Sequence, residues 1–147
     1  MNDTVSTPQV YKGLVGVHAD VTAVSKVMPE TNSLTYRGYA VQDLAEQCRF
    51  EEVAYLLLNG ELPNRKQLNA FTKEERENRK ISKVLIRAIE SFPRKAHPMD
   101  ATRTAVSFLG LEDAEAQDVS EAATRRKAMR LYAKIPTAIA AIRKPLG

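Results

Sequence analysis

Residues 81–92, ISKVLIRAIESF, constrain the fold of this chain more than any other stretch. The apolar residues there recur three and four positions apart and share one helix face: Ile81, Val84, Leu85, Ala88, Ile89 and Phe92. An apolar face of that width must pack against another apolar surface. We therefore predict a helix whose whole stripe lies in the core of an α-helical domain.

Upstream of residue 40 the sequence is instead typical of β-structure. Residues 13–36 are rich in β-branched side chains, interrupted by the turn-forming sequence Pro29-Glu30-Thr31-Asn32. We predict a small N-terminal β-hairpin, residues 22–28 against residues 33–36. Residues 1–12 are polar and irregular, and we predict that they form a flexible tail.

The tetrad Tyr36-Arg37-Gly38-Tyr39, at the end of the predicted hairpin, raises the question of function. Gly38 permits a backbone turn, and Tyr39 would lead into the first helix. Arg37 either binds an anion or joins the hairpin to carbonyl groups at a helix end. The residues by themselves favour the second, structural role.

From residue 41 onward the periodicity and end signals predict helices. The predicted segments are 41–47, 50–59 with Gly60 following, 64–79, 81–92, 98–109 ended by Gly110, and a long last helix from about residue 120, kinked at Pro136 and ended by Pro145 and Gly147. An acidic linker over residues 112–118 precedes that last helix. The fold class is therefore mainly α: one domain over residues 13–147, a hairpin followed by about six or seven helices.

The same spacing predicts the inward face of each remaining long helix. These faces are Leu68 and Phe71 in the third helix, Met99, Thr102, Val106 and Leu109 in the fifth, and Ala128, Leu131, Tyr132, Ile135, Ile139 and Ile142 in the last. The third helix has the sparsest apolar face, so we expect it to be the most exposed.

No metal or phosphate-binding motif occurs in the sequence: CxxC, HExxH and glycine-rich phosphate loops are all missing, so no metal and no cofactor is predicted. Cys48 is the only cysteine, which excludes an intrachain disulfide and indicates a reducing, cytoplasmic compartment. Free cysteine is among the most buried residue types. We predict a buried, structural Cys48 and not a nucleophile.

The two histidines are the remaining candidates for acid–base chemistry. His97 precedes Pro98 at a helix start, where it could act as a general acid or base or could cap the helix. The capping role is favoured, because the nearby Asp100 already has a favourable interaction with the helix dipole. His18, inside the β-like segment, is the weaker candidate.

The net charge of +4 and the pI near 9.3 raise the possibility of nucleic-acid binding. The basic residues of the last helix follow an acidic stretch, and those near residue 80 alternate with glutamates. Mixed charges of this kind are typical of solvated helix faces, so no nucleic-acid partner is predicted. The apolar run IPTAIAAI is too short to span a bilayer, and the first residues lack the pattern of a secretory signal.

Four motifs, in order and with similar spacing, resemble the citrate synthase and 2-methylcitrate synthase family. They are SLTYRGYAVQDLA, FEEVAYLLLNGELP, AHPMDATRTAVSFLG and RLYAKIPTAIAA. The segment ADVTAVSKVMPETNSLTYRGY and the run CRFEEVA are closer to the 2-methylcitrate synthase branch. The resemblance covers about residues 13–142, and it implies the first part of the large helical domain of such an enzyme.

The resemblance implies an enzyme that condenses an acyl-CoA, here propionyl-CoA, with oxaloacetate. In the family, the catalytic histidines, the base aspartate and most substrate-binding arginines belong to motifs that do not occur in this sequence. No catalytic or substrate-binding residue is therefore assigned to it, and acyl-CoA is expected as a substrate of the intact enzyme, not as a cofactor of this chain.

Two alternatives stay open. One is acetyl-CoA as the acyl donor, as in a citrate synthase. The other is a truncated, noncatalytic helical or dimerisation module. In either case, apolar stripes left uncovered would drive homo-oligomerisation or association through exposed helical faces.

Overall fold

The computed structural model describes residues 10–18 and 20–143. Its sheet has three antiparallel strands in the order β1-β2-β3: β1 is Ser25–Met28, β2 is Ser33–Tyr36 and β3 is Tyr39–Ala40. Two single 3-10 turns, Lys12–Leu14 and Pro29–Thr31, lie before β1 and between β1 and β2. The predicted hairpin is confirmed, with two corrections: β1 begins at Ser25 instead of residue 22, and β3 is an additional strand.

Six helices follow within the described residues. They are α1, Val41–Gln47; α2, Phe50–Asn59; α3, Arg65–Asn78; α4, Lys83–Glu90; α5, Pro98–Glu112; and α6, Glu121–Arg143. The mainly α fold is confirmed. Residues 1–9 of the predicted 1–12 tail, Pro145 and Gly147 lie outside the described residues. Residues 10–12 of that tail are exposed, and Lys12 begins the first 3-10 turn.

Local capping explains where several helices begin. Asn64 precedes α3, and its side chain accepts a hydrogen bond from the Gln67 backbone while the Gln67 side chain accepts one from the Asn64 backbone. Ser82 accepts from the Leu85 backbone at the start of α4. Such bonds satisfy backbone donors that have no partner inside the helix. Two helix starts are thus encoded locally in the sequence.

The central core lies between α4, α5 and α6. Its buried members are Ile81, Leu85, Ile89, Ala105, Leu109 and Ala138, with the partly buried Phe92, Phe108, Ala141 and Ile142 packed around them. α6 also packs against α3, where Phe71 contacts the rings of Tyr55 and Tyr132. The long last helix therefore holds the other helices together.

Several helices bury a different face from the one that the sequence predicts. Val84 is 55% exposed and Met99 is 59% exposed, so neither belongs to the core. In α5 the buried residues are Ala101, Ala105 and Leu109; in α6 they are Ala123, Met129, Ala133 and Ala138, while Leu131 and Ile139 are exposed. The prediction placed mainly large apolar side chains on the inward faces. Instead, α5 and α6 bury several alanines, whose small size permits close packing of helices.

The ends of α5 and α6 also refine the prediction. Gly110 does not end α5, which continues to Glu112. α6 begins at Glu121, where the Ser120 hydroxyl accepts from the Ala123 backbone, and it continues through Pro136. Residues 113–118 form the predicted acidic linker, and their side chains pair with α6 as described below.

Candidate functional site

The tetrad that raised the question of function forms a tight turn between β2 and β3. Tyr36 pairs with Tyr39, which leaves Arg37 and Gly38 as a two-residue loop. Their φ angles are +48° and +90°. Positive φ at both positions is the hallmark of a type I′ hairpin turn, which favours glycine at its second position. Gly38 therefore has the turn role that the sequence predicts.

Arg37 is half-buried, and its guanidinium binds the end of a helix. Its Nη2 donates to the carbonyl of Leu57, in the last turn of α2, at 3.0 Å. Of the two roles left open by the sequence, the structure shows the contact to a helix-end carbonyl. Its Nε is buried and has no partner in the described part of the chain.

Four consecutive carbonyls at the end of α2 accept hydrogen bonds from different donors. The pairs are Asn59 Nδ2 to Tyr55 at 3.0 Å, the Gly60 backbone N–H to Leu56 at 2.7 Å, Arg37 Nη2 to Leu57 at 3.0 Å and Arg125 Nη1 to Leu58 at 3.5 Å. Helix C-termini otherwise leave such carbonyls unsatisfied and carry partial negative charge. We call these contacts the α2 junction; they join the β2–β3 turn, α2 and α6.

Cys48 does not have the environment of a nucleophile. It lies just after α1 and is half-buried, which corrects the prediction of a buried cysteine. Desolvation raises the pKa of its thiol, and the carboxylate of Glu52 adds to that rise. A raised pKa disfavours the thiolate that a nucleophile requires.

His97 caps α5. Its Nδ1 accepts a hydrogen bond from the Met99 backbone at 3.2 Å, which confirms the capping interpretation. Asp100 forms an exposed ion pair with Arg103 at 3.6 Å. His18 is exposed and lies outside the strands, so its predicted place in a β-segment is wrong.

The acidic linker binds the basic side of α6. Arg130 makes hydrogen bonds of 2.9 Å to both carboxylate oxygens of Asp113, and it contacts Glu115 at 2.9 Å. Arg126 also pairs with Glu115, and the Lys127 ammonium donates to the carbonyl of Asp118. We call this set the linker ion network. The two arginines are engaged by acidic side chains of the linker, and Lys127 is engaged by one of its backbone carbonyls.

The ion network lowers the pKa of two of its carboxyls. Hydrogen bonds from Arg126, supplemented by Arg130, lower the pKa of Glu115 to about 2. The backbone N–H of Glu115 donates to Asp113 and lowers the pKa of that carboxyl, with Arg130 assisting. Both groups stay ionised well below neutral pH, which suits structural pairing and not proton transfer.

A groove of about 450 Å³ lies between the start of α2, the end of α3 and the middle of α6. It is lined by Phe50, Glu51, Glu75, Arg79, Tyr132, Ala133, Pro136, Thr137 and Ala140. The rings of Phe50 and Tyr132 stack with their centroids 5.8 Å apart. We call this feature the Glu75 groove, since its acidic side chain is its distinctive group.

Glu75 is only 5% exposed, although it is charged. Its Oε1 accepts from Arg79 Nε at 2.7 Å, whereas Oε2 is buried and has no hydrogen-bond donor among residues 10–18 and 20–143. The contact raises the pKa of Arg79. Burial raises the pKa of the Tyr132 hydroxyl, and the carboxylates of Glu51 and Glu75 raise it further.

The described helices and side chains also bear on metal binding and membrane insertion. Within the described ranges, no three His, Cys, Asp or Glu side chains are grouped as metal ligands would be. No helix in the same ranges is both long and apolar enough to cross a membrane.

The chain matches a family model described as "Citrate synthase, C-terminal domain" over residues 13–145. The chain belongs to the citrate synthase family. It is 51% identical over 133 residues to a 2-methylcitrate synthase of Mycobacterium tuberculosis, and 54% identical over 134 residues to a citrate synthase of Mycolicibacterium smegmatis. Each match covers 90% of this chain but only 33% and 35% of the relative, so the chain spans about a third of their length.

Solved structures agree with the fold. The citrate synthase of Pyrobaculum aerophilum superimposes with a TM-score of 0.82 at 32% identity, over 90% of this chain and 35% of that one. A ternary complex of the Thermoplasma acidophilum citrate synthase with carboxymethyl coenzyme A and oxaloacetate also gives a TM-score of 0.82, at 25% identity, over 92% of this chain and 37% of that one. The family resemblance inferred from the four motifs is confirmed.

Sequence reasoning missed Glu75, the one buried charged residue of the described ranges. It lies within TKEEREN, a run whose dense charge is typical of an exposed face. The available signal was its position four residues after Phe71, which places both side chains on the same side of α3.

Proposed function

We propose that this chain is the N-terminal segment of a 2-methylcitrate synthase-like enzyme that condenses propionyl-CoA with oxaloacetate. The observation that carries the proposal is 51% identity to a 2-methylcitrate synthase across 90% of the chain. Similar identity to a relative named citrate synthase keeps acetyl-CoA as the alternative donor. In this proposal residues 13–147 form the first part of the large helical domain.

The proposed reaction explains why the chain would serve as scaffold. Removal of a proton beside a thioester needs a carboxylate base, and the resulting enolate charge needs hydrogen-bond donors. Oxaloacetate needs guanidinium or imidazole groups that match its carboxylates. The α2 junction and the linker ion network engage Arg37, Arg125, Arg126 and Arg130 internally, so we assign these arginines to structure and not to substrate.

The ligands of this proposal have support from one relative. The Thermoplasma acidophilum citrate synthase is known as a ternary complex with carboxymethyl coenzyme A and oxaloacetate. By extension, we propose an acyl-CoA and oxaloacetate as substrates of the intact enzyme that contains this chain.

A chimeric enzyme tests the proposal. These 147 residues would replace the matching third of the Mycobacterium tuberculosis 2-methylcitrate synthase, and thiol release from propionyl-CoA and acetyl-CoA would be measured with oxaloacetate. We expect the chimera to be active and the isolated chain to be inactive. A folded chimera that releases no thiol would contradict the proposal. Kinetics of the intact enzyme with both acyl donors would then decide the donor.

A noncatalytic dimerisation module is the second candidate, favoured by large apolar side chains that remain exposed. Phe50, Met99 and Ile139 are 73%, 59% and 42% exposed. Exposed apolar surface promotes association, so we propose homo-oligomers formed through these helical faces. Size-exclusion chromatography with light scattering should show association of the isolated chain. Binding to a full-length relative without thiol release would favour this candidate; a monomer at moderate concentration would contradict it.

For the compartment we propose the cytoplasm. The chain has a single cysteine, so it has no internal disulfide to maintain. Fractionation of the source cells with an antibody against the chain should place it in the soluble cytoplasmic fraction.

A further inference from the structure

We propose that the Glu75 groove binds an organic cation, a primary ammonium or guanidinium group on an apolar stem. The first observation is the unsatisfied Oε2 of Glu75, a buried acceptor with no donor in the described ranges. Buried polar groups in proteins almost always have a hydrogen-bond partner. A carboxylate oxygen that lacks one is therefore a position where a donor fits.

The charge of the groove selects the sign of the ligand. Two carboxylates, Glu51 and Glu75, line it against the single guanidinium of Arg79. Arg79 is half-exposed and engages only Oε1. An added cation would complete the pairing of Glu75, whereas an anion would face two negative groups. The proposed substrates of the family reaction, oxaloacetate and acyl-CoA, are anionic and do not match this charge, so the inference does not rest on the proposed function.

The walls of the groove select the rest of the ligand. Phe50 and Tyr132 present stacked aromatic rings, and Ala133, Pro136 and Ala140 add apolar surface. Aromatic faces attract cations, and apolar walls favour a hydrocarbon stem. Phe50 lines the groove and is 73% exposed, so its ring is open to contact with a ligand there.

Two sources could supply this chemistry. One is the side chain of a lysine or arginine from the two-thirds of the family fold that this chain does not span. The other is a free small molecule that carries an amine. Both would place a cationic donor on Glu75 Oε2, and the experiment below separates them.

Benzylamine is the probe, because it combines a primary ammonium with an apolar ring. Saturation-transfer NMR on the 147-residue chain observes the ligand and tolerates association of the protein. We expect benzylamine to bind with a Kd on the order of 1 mM, as its few heavy atoms allow. Benzyl alcohol and benzoate should bind at least about tenfold more weakly, because the alcohol has no positive charge to pair with the carboxylates and benzoate is itself an anion.

Two variants locate the binding. Glu75→Gln removes the negative charge at constant size and should weaken benzylamine binding about tenfold or more. Glu77→Gln is the matched control on the same helix, where the exposed carboxylate pairs with Lys73, and it should leave binding unchanged. Circular dichroism checks the folding of each variant. The comparison of benzylamine, benzyl alcohol and benzoate uses the unsubstituted chain and needs no variant.

The outcomes test the proposal and distinguish the two sources of the bound cation. Equal binding of the amine, the alcohol and the benzoate, or no amine binding at about 20 mM, would overturn it. Binding to both the isolated chain and the chimeric enzyme would support a free amine as ligand. Binding to the isolated chain alone would support a lysine or arginine of the remaining fold as occupant. Activity of the chimera is measured separately, so failure here leaves the proposed function unaffected.

Discussion

The α2 junction and the Glu75 groove both lie at the ends of helices that pack near α6, but their acceptor oxygens differ. One donor of the junction, the buried Nε of Arg37, has no partner in the described part of the chain, whereas its carbonyls do have donors. At the junction, four consecutive carbonyls each receive a donor, two of them from arginines distant in sequence. In the groove, a carboxylate more deeply buried than either arginine has one oxygen without a donor among residues 10–18 and 20–143.

This difference separates a scaffold from a candidate site. A satisfied polar network contributes stability and fixes the relative position of its elements. An unsatisfied buried acceptor lowers the free energy of unfolding. Such a group remains in a stable fold only if other interactions compensate for that loss. Substitutions at the two places should therefore change the free energy of unfolding in opposite directions.

Gly38→Val should have the largest effect, because it strikes the turn that carries Arg37. The φ of +90° at Gly38 is strained for a β-branched residue, although no atom lies near the position of an added Cβ. We expect a loss of about 2 kcal/mol in the free energy of unfolding, measured by urea denaturation.

Gly110→Ala is the matched control for that substitution. Gly110 lies inside α5, where an added Cβ also meets no atom, and it has no positive φ. Its replacement should stabilise the chain by up to about 1 kcal/mol. Equal effects of the two substitutions would contradict the role of the turn. In the chimeric enzyme, Gly38→Val should impair folding more than the kinetic constants of the folded fraction.

Arg37→Met should have the next largest effect. It keeps the length of the side chain but removes the donor to the Leu57 carbonyl, with an expected loss of about 1–2 kcal/mol. Arg65→Met, at the exposed first residue of α3, should change stability by less than about 0.5 kcal/mol. Equal losses in urea denaturation would show that the junction contact contributes nothing.

Glu75→Leu should change stability in the other direction. The leucine removes a buried acceptor, while the half-exposed Arg79 can return to solvent. We expect a gain of about 1 kcal/mol in the free energy of unfolding. Glu77→Leu, at an exposed position of the same helix, should give no gain. A clear loss for Glu75→Leu would mean that the groove is structural, like the junction.

Much of the fold could be predicted because its signals are local. The caps at Asn64 and Ser82, the glycine after α2 and the stripe around Leu85 all depend on neighbours within a few residues. The phase of α5 and α6 could not be predicted in this way. Their buried alanines are selected by the closeness of the partner helix, which single-sequence periodicity does not contain.

The sites show the same division between local and distant contacts. The His97 cap is a contact over two residues, and the sequence predicted it. Arg37 reaches a carbonyl 20 residues away and Arg125 reaches one 67 residues away, so only the possibility of such a bond could be stated for Arg37. Burial of Glu75 depends on α6 covering a strongly charged stretch of α3. The spacing of four residues from Phe71 gives the side of the helix, but the charges around Glu75 are typical of an exposed face.

The smallest expected effect at neutral pH comes from the linker ion network, which is only partly buried. The folded chain holds the pKa of Glu115 near 2, below its ordinary value of 4.5. Its stabilising contribution is therefore complete above about pH 4.5 and is lost as the pH falls toward 2. Between about pH 5 and pH 2.5, the Tm of the unsubstituted chain should fall more than that of Glu115→Gln. Glu121→Gln, whose exposed carboxylate pairs with Arg125, should follow the unsubstituted chain. Parallel Tm profiles for all three proteins would mean that the network does not stabilise the fold.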